Sequence, residues 1–182
     1  MIQPKIIVVT GEIESGKTSF CFKFAEIAKD SGYKLTGLIS PGVFQNEKKV
    51  AIDLLDLETG DRRRLAELRD GDETGLSTER WSFRPETIQW GNKILEKASP
   101  IDFLIIDEIG PLEFNRAQGL VAALDLIDRG DFQAALLVIR PTLVHQASRR
   151  WEVNRLLDLS GSGPFPRTIE EFLRSLDIQS GA

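Results

Sequence analysis

The passage Lys5-Ile6-Ile7-Val8-Val9-Thr10, followed at once by Gly11-Glu12-Ile13-Glu14-Ser15-Gly16-Lys17-Thr18, constrains this chain more than any other. The first part is a β-branched run without polar alternation, as expected of a strand buried on both faces in a parallel sheet. The second fits G-x-x-x-x-G-K-[ST] in full, and Phe20, Phe24, Ile27 and Ala28 then recur at helical spacing over residues 18–29. A strand that turns through such a loop into a helix aims successive backbone N–H groups at one point. The helix N-terminus adds partial positive charge there. Residues 11–18 are therefore expected to cradle a phosphate, with Glu12 and Glu14 turned outward. Lys17 would reach the β- and γ-phosphates and the Thr18 hydroxyl would ligate Mg²⁺.

The rest of the chain alternates strands and helices. Strands are expected over 34–40, 101–106, 133–139 and 153–159, and helices over 85–98, 118–128, 141–150 and from Thr168, where Thr168-Ile169-Glu170-Glu171 has capping-box spacing. Residues 43–65 break the alternation. They read as an antiparallel hairpin or meander, with Glu47-Lys48-Lys49 as a polar turn ahead of a strand over 50–57. Residues 69–78 read as a surface loop. The expectation is one three-layer α/β domain over 1–182, mostly parallel, with a hairpin excursion at about 43–65.

Phe103-Leu104-Ile105-Ile106-Asp107-Glu108 is an apolar strand ending in two carboxylates. Beside a phosphate cradle, Asp107 is expected to face the Mg²⁺ on Thr18, and Glu108 to polarise the water that attacks the γ-phosphorus. Asp107-Glu108-Ile109-Gly110 also fits the D-x-x-G of switch GTPases. However, the later strand ends Val138-Ile139-Arg140-Pro141, not in the Asn-Lys-x-Asp that reads guanine.

Composition narrows the field. Lys and Arg total 23 against 28 Asp and Glu, a net charge of −5, which argues against nucleic acid or an anionic membrane as a partner. One cysteine, Cys21, excludes an internal disulfide and a Cys-rich zinc site, and one histidine, His145, argues against a Ser-His-Asp triad. The N-terminus reads as neither signal nor transit peptide and no apolar run has membrane-spanning length, so the expected address is the cytoplasm.

With both motifs in view, the chain resembles the THEP1-type nucleoside-triphosphatases, small P-loop proteins. The resemblance rests on Val9 through Thr18, Gly37-Leu38-Ile39-Ser40-Pro41-Gly42-Val43, Ile52 through Gly60, Asp107-Glu108-Ile109-Gly110-Pro111-Leu112-Glu113 and Val138-Ile139-Arg140, in the family's order. It implies a RecA-like sheet and Mg²⁺-dependent hydrolysis of nucleoside triphosphates, ATP and GTP among them, with broad base tolerance. Glu108 is then the catalytic carboxylate. Pro111 stands where many relatives carry a basic residue, and Ser19, next to the cradle, stands where threonine is common.

Other residues carry two readings each. Arg140, at a strand's C-terminal end where open α/β sheets bind ligands, touches the γ-phosphate or base, or forms a surface salt bridge. Glu113 orders metal-bound water or caps a helix. Arg62-Arg63-Arg64, followed by Arg69, contacts RNA or a phosphorylated partner, or protects a hairpin edge. Trp81 and Trp90 stack a base or pack in the core, with Trp90 better suited to packing. Arg149 and Arg150 read best as a solvated helix face, Trp151 and His145 as packing or surface residues, Cys21 as buried, and Asp53 as a turn stabiliser. The expected activity is slow cleavage of the β–γ phosphoanhydride. The rivals are a P-loop kinase acting on a small molecule or nucleic acid, and a nucleotide-loaded adaptor with a protein partner and negligible hydrolysis.

Overall fold

The computed structural model describes residues 3–70, 75–98, 101–161 and 167–179. Along the chain, β1 (Lys5–Thr10) leads into α1 (Lys17–Asp30) and β2 (Leu35–Ile39). Four strands follow: β3 (Gly42–Gln45), β4 (Lys48–Asp56), β5 (Arg62–Leu68) and β6 (Trp81–Phe83). Then come α2 (Pro85–Glu96), β7 (Ile101–Ile109), α3 (Pro111–Arg116), α4 (Val121–Arg129) and β8 (Phe132–Ile139). A 3₁₀ turn (Pro141–Leu143) opens α5 (Val144–Arg150), and β9 (Val153–Asp158) and α6 (Ile169–Ser175) close the described chain. The Thr168 hydroxyl accepts the Glu171 amide at 3.1 Å, the cap that the sequence spacing predicts for α6.

The strands form one sheet in the order β6-β5-β4-β2-β7-β8-β1-β9, with β3 paired to β4. β2, β7, β8, β1 and β9 run parallel to one another, whereas β3 to β6 pair antiparallel. β4 joins the two parts by pairing antiparallel with β2. The parallel strands read as unbroken apolar runs because both faces are covered. Val8, Leu104, Ile106 and Leu137 pack with residues of α2, α4 and Trp151 on one face. Val9, Phe103, Ile105 and Val138 pack with Phe24, Cys21 and Phe172 of α1 and α6 on the other. This is the three-layer arrangement expected. Among the described residues no helix is long and apolar enough to cross a membrane.

Several sequence expectations need correction. Lys48 and Lys49 lie inside β4 and not in a turn ahead of it. A fourth antiparallel strand, β6, lies in what read as irregular chain, and residues 71–74 of the expected 69–78 loop fall outside the described residues, as do 162–166. The expected helix over 118–128 is α4, and a further short helix, α3, precedes it. β7 runs through Asp107 and Glu108 to Ile109 instead of stopping at Ile106.

The arginine run has a structural role. Arg62 and Arg64 both donate to Asp53, at 2.7 and 2.6 Å, and Arg63 lies over the Trp90 ring at 4.5 Å. Asp53 thus clamps β4 to β5, more than the turn role read from sequence. Cys21 is fully buried, and burial pushes its thiol well above the usual range, so it is chemically quiet. His145 is exposed. Trp151 is buried and its Nε1 donates to Asp128 at 2.7 Å. Arg150 also pairs with Asp128, at 2.6 Å.

Candidate active site

The loop between β1 and α1 ends at Gly16, whose left-handed conformation (φ 89°) lets the chain enter α1 with no side chain capping the first amides. Glu12, Ile13 and Glu14 are exposed, as expected of a loop that works through its backbone. Lys17 Nζ folds back over the loop, donating to the Gly11 and Glu12 carbonyls at 2.8 and 2.5 Å and to Ser15 Oγ at 3.3 Å. Ser19 is exposed on the first turn of α1.

The far side of the loop is held by a residue that sequence reasoning assigned to a loop. The Glu12 amide donates to Ser160 Oγ at 2.6 Å, and the Ser160 amide donates to Asp158 Oδ1 at 2.9 Å. Because β9 lies parallel beside β1, the residues just past its end reach the cradle. The available signal was that adjacency, which only the sheet order supplies.

Asp107 and Glu108 occupy a bulge. Ile106 pairs with Leu137 and Ile109 with Ile139, so β7 carries one extra residue against β8. Such a bulge re-aims side chains at a strand end, and it gives the two acids different surroundings. Asp107 is 2% exposed, in contact with the Thr18 hydroxyl, and its Oδ2 accepts the Ser40 amide at 3.4 Å. Burial raises its pKa to about 6, and Glu108 adds to this, whereas Thr18, the Ser40 amide and Lys49 oppose it. Glu108 keeps 30% of its side chain exposed and pairs with Arg140 Nε. Arg140 follows β8, the strand that lies between β7, which carries the acids, and β1, which leads into the cradle. Of its readings, contact with Glu108 is the one observed.

Thr18 and Asp107 offer two hard oxygen donors in contact with each other. Among the described residues no cluster of three or more His, Cys, Asp or Glu could hold a metal alone. A cation held here would need its remaining ligands from phosphate and water, a demand that Mg²⁺ meets in phosphate-bound sites, and the donor set fits it.

Glu113 is tied into the backbone around the site. It is 8% exposed, and its two carboxylate oxygens accept the Gly110 and Leu120 amides, each at 2.9 Å. It thereby ties the turn after Glu108 to the start of α4, the capping reading and not the water-ordering one. Glu113→Ala leaves two buried amides without acceptors. It is expected to cost about 2–4 kcal/mol in chemical denaturation and to lower turnover more than nucleotide affinity.

Beside Glu108 and Arg140 lies an apolar cleft walled by Ile52, Leu65, Trp81, Phe83 and Ile88, with Ser40 also in its lining. Trp81 is 8% exposed and packs in this wall. Lys49 Nζ lies 5.7 Å from the Trp81 ring centroid. Sequence reasoning did not single out this lysine.

The chain is 30% identical over 111 residues to "Nucleoside-triphosphatase THEP1" of Methanopyrus kandleri, covering 60% of each chain. It spans about 60% of the length of the curated relatives it matches first. The solution structure of a human cancer-related nucleoside triphosphatase superposes with a TM-score of 0.71 at 18% identity, over 95% of this chain and 97% of that one. The crystal structure of THEP1 from the hyperthermophile Aquifex aeolicus gives 0.69 at 20% identity, over 94% and 99%. At those identities the likeness shows the shared fold. The sequence pattern of the NTPase_1 family, described as NTPase, matches residues 6–156, from β1 into β9 and through both motifs, and the chain belongs to that family.

Proposed function

We propose that this protein is a slow, Mg²⁺-dependent nucleoside-triphosphatase that cleaves the β–γ phosphoanhydride of ATP, GTP and other nucleoside triphosphates, as one domain in the cytoplasm. One observation carries the reading. Of two adjacent acids on a bulged strand end, one is buried against Thr18 of the cradle and the other is left partly open beside an arginine.

The backbone amides of residues 11–18 receive the phosphates, and Lys17 exchanges the Gly11 and Glu12 carbonyls for the β- and γ-oxygens. Thr18 and Asp107 would hold the cation, which would neutralise negative charge on the phosphates when bound. Glu108 accepts a hydrogen bond from the attacking water and aims its oxygen at the γ-phosphorus. As the new P–O bond forms, the water's proton passes to Glu108, the bond from phosphorus to the bridging oxygen breaks, and the diphosphate leaves. Arg140 holds Glu108 in orientation before the nucleotide arrives, through the ion pair between them.

Phosphate release measured across ATP, GTP, CTP and UTP tests this, with Mg²⁺ and with a chelator in excess. Release from each triphosphate that falls to background with the chelator is expected; no release from any of them ends the proposal. The apolar cleft beside Glu108 favours one second reading, a kinase whose acceptor sits there. In that case labelled γ-phosphate reaches an added alcohol faster than it reaches water.

A further inference from the structure

Resting on the triphosphatase reading, we propose that Lys49 contacts the γ-phosphate and makes the site discriminate triphosphate from diphosphate.

The sheet brings it there. β4 pairs with the end of β2 through Ile39 and Leu55, then runs six residues farther back to Lys49, about 20 Å beyond the paired end at strand spacing. This hairpin therefore stands on the side of the sheet where β1, β7 and β8 end and where the cradle and both acids lie. The Lys49 stem doubles back along Gly42: a Cβ on that glycine would come 2.8 Å from Lys49 Cε. Gly42 is two residues beyond Ser40, whose amide touches Asp107. The ammonium sits over Trp81, whose indole walls the cleft that Glu108 also lines.

The charge surroundings agree. Lys49 is only partly exposed, and among the described residues it has no salt-bridge partner. The carboxylates that act on it are Asp107, Glu108 and Glu14, one from the cation site, one at the attacking water and one on the cradle itself. Arg80, stacked on the same indole at 5.0 Å, repels it. Burial lowers its pKa below the ordinary lysine value more than those acids raise it. A half-buried cation among three acids, bonded to none, is suited to an anion arriving between them. Lys17 and the loop amides approach the β- and γ-phosphates from the cradle, so Lys49 meets the γ-phosphate from the hairpin side. Lys49 is borne on a strand, so its reach is set by the sheet and not by a mobile tip.

The test compares wild type with Lys49→Met, which keeps the stem and removes the charge, and with Lys49→Arg. Affinities for Mg–ADP and for a Mg²⁺ complex of a non-hydrolysable ATP analogue are measured by calorimetry, and phosphate release from ATP at saturation. Lys49→Met is expected to weaken the triphosphate analogue at least about tenfold, to leave ADP within about twofold, and to lower kcat. Lys49→Arg restores much of the preference. Equal affinities of wild type and Lys49→Met for the analogue overturn the inference, as does an equal loss for both nucleotides, which marks a structural role. Should Lys49→Met fail to fold by circular dichroism, Lys49→Gln takes its place under the same criteria. If wild type neither binds the analogue nor releases phosphate, the triphosphatase reading falls as well. If wild type does both and the variants match it, only the role of Lys49 falls.

Discussion

Glu108→Gln is expected to slow single-turnover phosphate release by about two to three orders of magnitude while leaving Mg–nucleotide affinity within about twofold. Glutamine keeps the size of the side chain but cannot take the water's proton, and it replaces the ion pair with Arg140 by a neutral hydrogen bond at best. The structural cost is small because this side chain is 30% exposed and its partner 52% exposed. Stability therefore separates cleanly from chemistry, and a thermal melt close to wild type is part of the expectation. Asp107 behaves differently. It is buried, so Asp107→Asn acts on Mg²⁺-dependent binding before it acts on rate. An unchanged rate for Glu108→Gln removes Glu108 as the water's base. A rate loss matched by an equal affinity loss makes it a binding residue.

Gly37→Ala is expected to be the most destabilising single methyl in the described chain. Gly37 lies inside β2 at φ +141°, and a Cβ there would stand 1.9 Å from the Ile105 carbonyl oxygen and 2.8 Å from the Ile105 nitrogen. Both atoms belong to the backbone of β7, whose Ile105 is fully buried, so no rotamer change relieves the clash. The cost expected is at least about 3 kcal/mol, read as a fall in Tm of about 6–12 °C or as failure to fold. Gly60→Ala is the control. It also sits at positive φ but meets no atom within 4 Å, and about 1–2 kcal/mol is expected there. Equal losses at the two positions mean that backbone conformation, and not the approach of β2 to β7, sets the penalty. Because β2 carries Ser40 to Asp107, a milder shift in β2 registers at the site before the fold is lost.

The parts legible in the sequence are those whose physics is local. The loop at 11–18 announces itself because its backbone path, its lysine and its hydroxyl occupy eight consecutive positions between a buried strand and a helix. Asp107 and Glu108 were legible as acids ending an apolar run. That one is buried and the other open was not, because the bulge against β8 is a property of the pairing. β6 and α3 escaped for another reason: three and six residues are too few for a period to show. Lys49 was hidden by its neighbours. Glu47-Lys48-Lys49 has the composition of a solvated turn, and only the pairing of β4 with β2 and β3 places this lysine on a strand with its stem along Gly42. The arginine run was legible as charge, yet its partner Asp53 could be found only from the register of β4 with β5.

The burial of Cys21 has a practical consequence. A chain whose lone native thiol is sealed inside and unreactive near neutrality accepts maleimide dyes only where a new cysteine is introduced. One placed at exposed Asn46, in the turn between β3 and β4, would carry a single reporter on the hairpin with no need to strip the native sulfur first.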